Sequence, residues 1–322
     1  MNEPALRFYD EQPTLSNLRE EVLRGLARRP RSIPPKFFYD ARGSALFDAI
    51  CEQPEYYPTR TEMAILARHA AEIAAAIGPD AWLVELGCGA SRKIRLLLES
   101  LRPRAWLGVD ISREFLRGAA RALALDYPWL EVHALCTDFS EALRLPVRPP
   151  DGHCVAFYPG SSIGNFDPPA AERFLRCVAG ALGAGGLLLI GVDLRKDPAV
   201  LEAAYNDAAG VTARFNRNLL VRIRNELGAA VDPEAFDHRA FYDPVPGRVE
   251  MHLVSRRAQV IEIDGRRFAF EAGESLHTEN SYKYTVPGFA ALARRAGYRS
   301  ERVWTDERRW FSVHLLRVDD GG

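Results

Sequence analysis

The chain has 322 residues, of which 47% are hydrophobic and 26% charged, and its 42 basic and 43 acidic residues leave a formal net charge of −1. This composition gives a soluble globular protein with room for two structural units, and it lacks the basic excess that phosphate binding demands, which argues against a nucleic-acid partner. No apolar run is long enough to span a bilayer. The N-terminal MNEPALRFYDEQPTL has no signal-peptide apolar core. The five cysteines, Cys51, Cys88, Cys136, Cys154 and Cys177, have neither metal-knuckle nor redox-pair spacing, so they read as free thiols of a cytoplasmic protein. The histidines form no HxxxH or HxH pair, so no metal site is expected. The chain is expected to be a monomer.

In chain order, residues from about 14 to 50 read as two helical stretches parted by a proline-marked break, SNLREEVLRGLARRP and SALFDAICEQ. TEMAILARHAAEIAAAIG is an amphipathic helix opened by Thr61 and stopped by Gly78-Pro79. Strands and helices then alternate. AWLVELG, AWLGVDI, LEVHALCTD, HCVAFYPG and GLLLIGVDL read as strands, and SRKIRLLLESL, REFLRGAARALALDY and PAAERFLRCVAGALG as helices. Near-continuous apolar strands alternating with helices predict an α/β fold, a Rossmann-like parallel sheet covered on both faces. After Asp193 the pattern changes. LEAAYNDAAGVTARFNRNLLVRIRNELG reads as helical, and antiparallel strands follow with turns at Pro246-Gly247 and Asp264-Gly265. The helix VPGFAALARRAG and a final strand pair complete the alternating sheet.

The stretch LVELGCGASRK carries the first chemical signal. A Gly-x-Gly turn after the first strand of such a sheet lies at its ligand-binding switch point. The dinucleotide fingerprint has a third Gly or Ala where this chain has Arg92. Glu85, just before Gly87 and Gly89, is awkward beside a pyrophosphate and suits a cationic ligand without phosphate. That describes S-adenosylmethionine better than a nicotinamide cofactor. Asp110, ending the next strand, can accept both ribose hydroxyls. Asp138 and Phe139 end the third strand, where a carboxylate can accept from the adenine amino group and an aromatic ring can cover it. Lys93, at a helix N-terminus, can meet the methionine carboxylate. A closing antiparallel strand also fits the usual methyltransferase topology. Taken singly, each acid reads better as a capping or surface residue, and it is their succession at strand ends that favours the cofactor.

Several stretches taken together go further: PPKFFYDARGSALFDAI with PEYYPTRTEMAIL, VELGCGASRK, FYPGSSIGNFDP, GVDLRKD and LHTENSYKY. From about Leu15 to the C-terminus the chain resembles the histidine-specific Nα-methyltransferases of ergothioneine biosynthesis. The resemblance implies an S-adenosylmethionine-dependent enzyme that trimethylates the α-amino group of free L-histidine to hercynine, releasing S-adenosylhomocysteine. It implies cofactor contacts at Gly87, Lys93, Asp110, Asp138 and Phe139, and substrate contacts at Tyr56, Asn165, Tyr205, Glu279 and Ser281. Tyr39, Gly160 and Met251 match positions lining the same pocket. It also implies that residues 61–196 with 286–322 form the cofactor domain, and residues 8–60 with 197–285 a mixed α+β substrate-binding domain. Asn280 and Tyr282 depart from the family's pattern, which has a smaller apolar residue and a less bulky one. They bear on substrate range.

These residue types suit free histidine. Asn165 and Tyr205 are neutral donors for a carboxylate, and Asn165 can also cap the helix starting near Pro168. Glu279 can accept from an imidazole N–H, and Ser281 can serve the other ring nitrogen. Alternate positions of a strand share a face, so Glu279 and Ser281 point together and Asn280 points away. No histidine stands where a base is wanted, and Tyr39, or a water it holds, is the candidate for guiding the amine proton out. Two other readings stay open: methylation of another free, aromatic amino acid, and a non-catalytic S-adenosylmethionine-binding regulatory module.

Overall fold

The computed structural model describes residues 6–11, 16–89, 91–140, 142–147 and 153–319, so the polar N-terminal stretch lies partly outside the described residues. In chain order the elements begin β1 (Leu6–Asp10), α1 (Ser16–Ala27), β2 (Arg31–Ser32), α2 (Ala41–Cys51), α3 (Tyr57–Ile77), β3 (Trp82–Leu86), α4 (Arg95–Leu101), β4 (Ala105–Asp110), α5 (Arg113–Asp126) and β5 (Glu131–Cys136). They continue with β6 (Cys154–Tyr158), α6 (Pro168–Leu182), β7 (Leu187–Asp193), α7 (Pro198–Tyr205), α8 (Val211–Leu227), β8 (Phe236–Asp243) and β9 (Arg248–Ser255). Last come β10 (Gln259–Ile263), β11 (Arg266–Phe270), β12 (Ser275–Tyr282), α9 (Val286–Arg295), β13 (Tyr298–Thr305) and β14 (Phe311–Val318). The chain divides into two compact units. The first is Met1–Pro13, Pro58–Arg195 and Lys283–Gly322, and the second is Thr14–Tyr57 and Lys196–Tyr282.

The first unit is built on one sheet of order β1-β5-β4-β3-β6-β7-β14-β13. Strands β1 and β3 to β7 pair in parallel, while β14 runs antiparallel to β7 and β13. Parallel strands covered on both faces need apolar side chains throughout, and every residue of β3, β6 and β7 is buried. Two apolar clusters result, one around Phe174, Leu188 and Phe289, the other around Leu66, Trp106 and Leu189. The passages out of this unit after Arg195 and back at Lys283 are bound together. Tyr284 donates its backbone N–H to Asp193, Arg195 donates to Tyr284, and a buried Lys283–Asp193 ion pair at 2.8 Å closes them.

The second unit carries a sheet of order β2-β12-β9-β8 and a separate hairpin, β10-β11. The hairpin turns on Asp264 and Gly265, both with positive φ, as a two-residue loop of matching twist requires. Phe38 packs on Phe215 of α8 at 4.6 Å between ring centroids. Asp40 caps α2 by accepting from Gly43 N–H at 2.6 Å, and Asn218 of α8 donates to the same oxygen.

Four sequence expectations change. Residues 8–11, expected in the substrate-binding domain, belong to the first unit, because β1 adds a parallel edge strand to β5. Helix α3 opens at Tyr57 rather than Thr61, since Pro58 is tolerated in a first turn where its missing N–H is not needed. The helix read from Ser91 starts only at Arg95, after Ser91 at φ 50°. The long helical stretch from Leu201 is broken at 206–210, where Gly210 has φ 65° and Asp207 accepts from Val211 and Thr212 N–H to cap α8.

Two glycines test the packing with opposite signs. A Cβ at Gly43 would lie 1.7 Å from the Phe38 carbonyl oxygen, backbone that cannot swing away, whereas a Cβ at exposed Gly118 in α5 meets nothing within 4 Å. Gly43→Ala is expected to cost about 1–3 kcal/mol. Gly118→Ala is expected to add about 0.5–1 kcal/mol. Urea midpoints of the two variants check both signs.

Candidate active site

In the first unit the glycine turn is tied to its neighbouring strand. Gly87 and Gly89 have φ of 65° and 50°. Gly89 N–H donates to Asp110 Oδ2 at 3.0 Å, and Ser112 N–H to Asp110 Oδ1 at 2.9 Å. Asp110 therefore fastens the loop, and a carboxylate with about four acceptor positions can still take ribose hydroxyls. Burial raises its pKa, although the backbone N–H bonds of Ser112, Gly89 and Ile111 oppose the shift. A Cβ at Gly87 would lie 3.7 Å from the Phe139 ring, so loop and ring face one space. Asp138 accepts from Ser140 N–H at 3.1 Å and from its hydroxyl at 2.5 Å.

Glu85 lies deeper than expected. It is 1% exposed and accepts from Trp106 Nε1 at 3.0 Å. The sequence Trp106-x-Gly108 makes this possible: Gly108 pairs with Glu85 across the strands, and its missing Cβ leaves room for the indole, which would otherwise lie 2.2 Å away. Burial pushes the Glu85 carboxyl up to about 8 from its ordinary 4.5, against the Trp106 hydrogen bond and the Lys93 charge, which lower it.

Lys93 is not a lone cation at the turn. Its Nζ is 2.6 Å from Glu62 Oε2, and Glu62 has no exposed surface. Gly160 N–H donates to both Glu62 oxygens, at 2.8 and 3.1 Å. An ammonium has three donors, so the bond to Glu62 does not use it up. Sequence reasoning missed Glu62. The available signal was its place on the apolar stripe of α3 with Ile65, Leu66 and Ile73, where a carboxylate implies a buried partner. Asn165 ends a short 3-10 turn, Ser162–Asn165, and Asp167, not Asn165, caps α6 by accepting from Ala170 N–H at 2.8 Å.

The second unit brings most of the expected substrate residues together. Tyr205 donates its hydroxyl to Ser281 Oγ at 2.7 Å. Glu279 is the cross-strand partner of Met251. The Tyr56 ring meets Tyr205 edge-on at 6.3 Å and Phe47 at 6.3 Å. Tyr39 is wedged edge-on against Phe47 and Phe215 at 5.7 and 5.8 Å. Burial holds the Tyr56 hydroxyl well above the ordinary tyrosine range, and Tyr205, Cys51, Tyr39 and Glu279 reinforce it. The hydroxyl that sequence assigns to a carboxylate, that of Tyr205, is thus turned to the neighbouring serine.

Topology also assembles a group that sequence spacing hides. Register between β9 and β12 puts Glu250, His252 and His277 ligand atoms within 4.8 Å of one another. The two rings stack at 4.8 Å, and Arg248 is paired with the Glu250 carboxylate, so a cation already occupies that charge. Burial lowers the pKa of both histidines. None of the five cysteines forms a disulfide, and among the described residues no helix is long and apolar enough to cross a membrane.

Counted from the glycine-loop strand, the sheet order with its antiparallel β14 is that of a Rossmann-like methyltransferase. A glycine turn fastened to an acid at the next strand end suits S-adenosylmethionine, and the fold is that of an S-adenosylmethionine-dependent methyltransferase. The family model described as histidine-specific methyltransferase, SAM-dependent, matches residues 18–318, and the chain belongs to that family. It is similar to the histidine N-alpha-methyltransferase of Mycolicibacterium smegmatis, 43% identical over 304 residues, covering 92% of this chain and 94% of that protein. The histidine N-alpha-methyltransferase of Mycobacterium tuberculosis is 41% identical over the same coverage. The ergothioneine biosynthesis protein 1 of Neurospora crassa is 32% identical over 310 residues, 89% of this chain but 33% of that longer protein.

The Glu85 shift has a definite sign. A carboxyl that titrates near 8 when folded and at 4.5 when unfolded stabilises the fold fully below the lower value, and that contribution is lost as pH rises to the upper one. Glu85→Gln, which mimics the protonated form, is expected to gain stability on the unsubstituted protein between about pH 5 and about pH 9. Parallel urea midpoints across that range would mean the carboxyl is ionised throughout.

Proposed function

We propose that the protein transfers methyl groups from S-adenosylmethionine to the α-amino group of L-histidine, three times in succession, giving hercynine at the head of ergothioneine biosynthesis. The observation that carries this reading is the Tyr205–Ser281 hydrogen bond beside Glu279 on one face of β12. A serine that accepts from a tyrosine donates its own hydrogen elsewhere, and a glutamate accepts. One strand face thus carries a carboxylate and a hydroxyl two residues apart, groups whose chemistry suits an imidazole with one N–H and one lone pair.

In this reading Gly87, Gly89, Asp110, Asp138, Phe139 and Lys93 hold the methyl donor, with Glu85 beneath the turn. When bound, S-adenosylmethionine supplies a methyl group already activated by its sulfonium. The protein's share is to bind, orient and exclude water, and holding the attacking nitrogen in line at roughly 3–3.5 Å supplies much of the acceleration. Glu279 and Ser281 fix the ring, Met251 and Tyr56 enclose it, and Gly160 and Asn165 keep the substrate roles expected of them. Tyr39, edge-on to two phenylalanines, guides the amine proton outward. A free amine deprotonates readily in water, so no dedicated base is required, and no step uses a metal. The substrate is a small molecule, and the protein acts as a monomer in the cytoplasm, whose reducing conditions suit its free thiols.

Asn280 and Tyr282 favour one second reading, a related acceptor in place of histidine. Each lies on the opposite face of β12 from Glu279, paired with Glu250 and Arg248, which leaves the acceptor face itself as histidine requires.

Glu279→Ala is expected to weaken histidine binding about tenfold to a hundredfold, the loss of one charge-assisted hydrogen bond. S-adenosylmethionine affinity should stay within about twofold, because that set is separate. Calorimetry with each ligand checks this, and unchanged histidine affinity would sink the imidazole assignment. Tyr39→Phe is expected to slow turnover by less than about tenfold, well short of the roughly 10²–10⁴-fold of a positioned acid or base. Single-turnover kinetics showing complete loss with histidine still bound would give the tyrosine a larger part.

A further inference from the structure

Strand β12 does not run regularly into the Glu279–Ser281 pair. His277 pairs with His252 and Glu279 with Met251, which leaves Thr278 as the extra residue of a β-bulge. The bulge decides which way the pair faces. Cross-strand partners share a face of a sheet, so His277, Asn280 and Tyr282 face with His252, Glu250 and Arg248, while Glu279 and Ser281 face with Met251 and Val249. In a regular strand Glu279 would share the face of His277, two residues before it. Bulges beside functional sites re-aim side chains in this manner.

The bulge is held by a buried polar chain. The Thr278 hydroxyl lies 2.8 Å from Asn216 Oδ1 and 3.0 Å from the Met251 carbonyl oxygen. Asn216, on α8 and fully buried, donates one Nδ2 hydrogen to the His252 carbonyl at 3.0 Å and the other to His238 Nδ1 at 2.9 Å. His238 Nε2 then donates to the Tyr205 carbonyl at 2.8 Å. Every hydrogen-bonding atom of the Asn216 amide is thus matched, and the match fixes His238 as the neutral tautomer protonated at Nε2. The chain ends on the residue whose hydroxyl meets Ser281. Tyr205 is therefore tied to β12 twice, through its backbone by His238, Asn216 and Thr278, and through its side chain by Ser281. His277 Nε2 adds a 3.0 Å bond to the Glu279 carbonyl from the far side of the strand.

We propose that Thr278, Asn216 and His238 are positioning residues for the amino-acid acceptor, setting the spacing and facing of Glu279, Ser281 and Tyr205 through the bulge. A well-packed core would use apolar residues at these positions, because a partly satisfied polar network is worse than none. A fully matched network instead selects one arrangement of strand and helix. This inference rests on the acceptor assignment made above.

The test is Thr278→Val, which keeps the side-chain shape and removes the hydroxyl, against Thr278→Ser, which keeps the hydroxyl. In Thr278→Val the dissociation constant and KM for histidine are expected to rise about tenfold or more, as one buried amide oxygen loses its partner. The S-adenosylmethionine dissociation constant should stay within about twofold, and kcat should fall less than KM rises. Thr278→Ser is expected to return histidine binding to within about threefold of the unsubstituted value. A valine variant that melts earlier yet binds histidine as before would overturn the proposal and leave the network a purely structural role. Should the valine variant fail to fold, His238→Phe, at a half-buried position, reads the same split. Failure of the acceptor assignment looks different: the unsubstituted protein would then bind S-adenosylmethionine but no histidine. The valine–serine comparison is in that case made with whichever amino acid it methylates, and the same split is expected.

Discussion

Glu62 is a carboxylate without exposed surface, and it ties together the segments around the glycine turn of the first unit. Taking such a charge out of water costs several kcal/mol unless it is paired and its lone pairs are filled. Lys93 and the Gly160 backbone fill them, from the segment after the glycine turn and from the end of β6. The arrangement also demands glycine at 191, where a Cβ would lie 1.9 Å from Glu62 Oε1. One helix residue thus joins the segment after the glycine turn to the end of β6 and packs against β7. Asp110 completes the same task from β4 by holding Gly89.

The second unit solves a similar problem with neutral groups. The pair proposed to grip the acceptor lies on a strand whose regular course would aim Glu279 to the other face, and a bulge corrects this. Asn216 then does for the bulge what Glu62 does for the turn. In both units a buried polar residue remote in sequence from the ligand-facing groups has every hydrogen-bonding atom engaged, and such networks are rigid because any other arrangement strands a buried polar atom.

What was legible in the sequence follows from range. The alternation of strands and helices, the glycine turn and the acids at strand ends are local signals, and the strands β3 to β7 lie where their apolar runs put them. The facing of Glu279 and Ser281 away from Asn280 followed from period two alone. Most of the missing features depend on partners far along the chain. The edge strand β1 needs β5, over a hundred residues on, and its mixed sequence has no buried-strand character by itself. The break between α7 and α8 was written in Asp207 and Gly210, a cap and a left-handed glycine that a continuous helical period concealed. The bulge at Thr278, the Glu250–His252–His277 group and the pairing of Glu62 with Lys93 belong to register and topology, which no spacing within one segment records.

In the proposed reaction the imidazole is gripped and the α-amine is the group methylated. Tandem mass spectrometry of the purified protein's product from L-histidine and methyl-labelled S-adenosylmethionine tests it most directly. All label is expected on the α-nitrogen, passing through mono- and dimethyl species to the trimethyl product. Label on a ring nitrogen, or no labelled histidine at all, would contradict it.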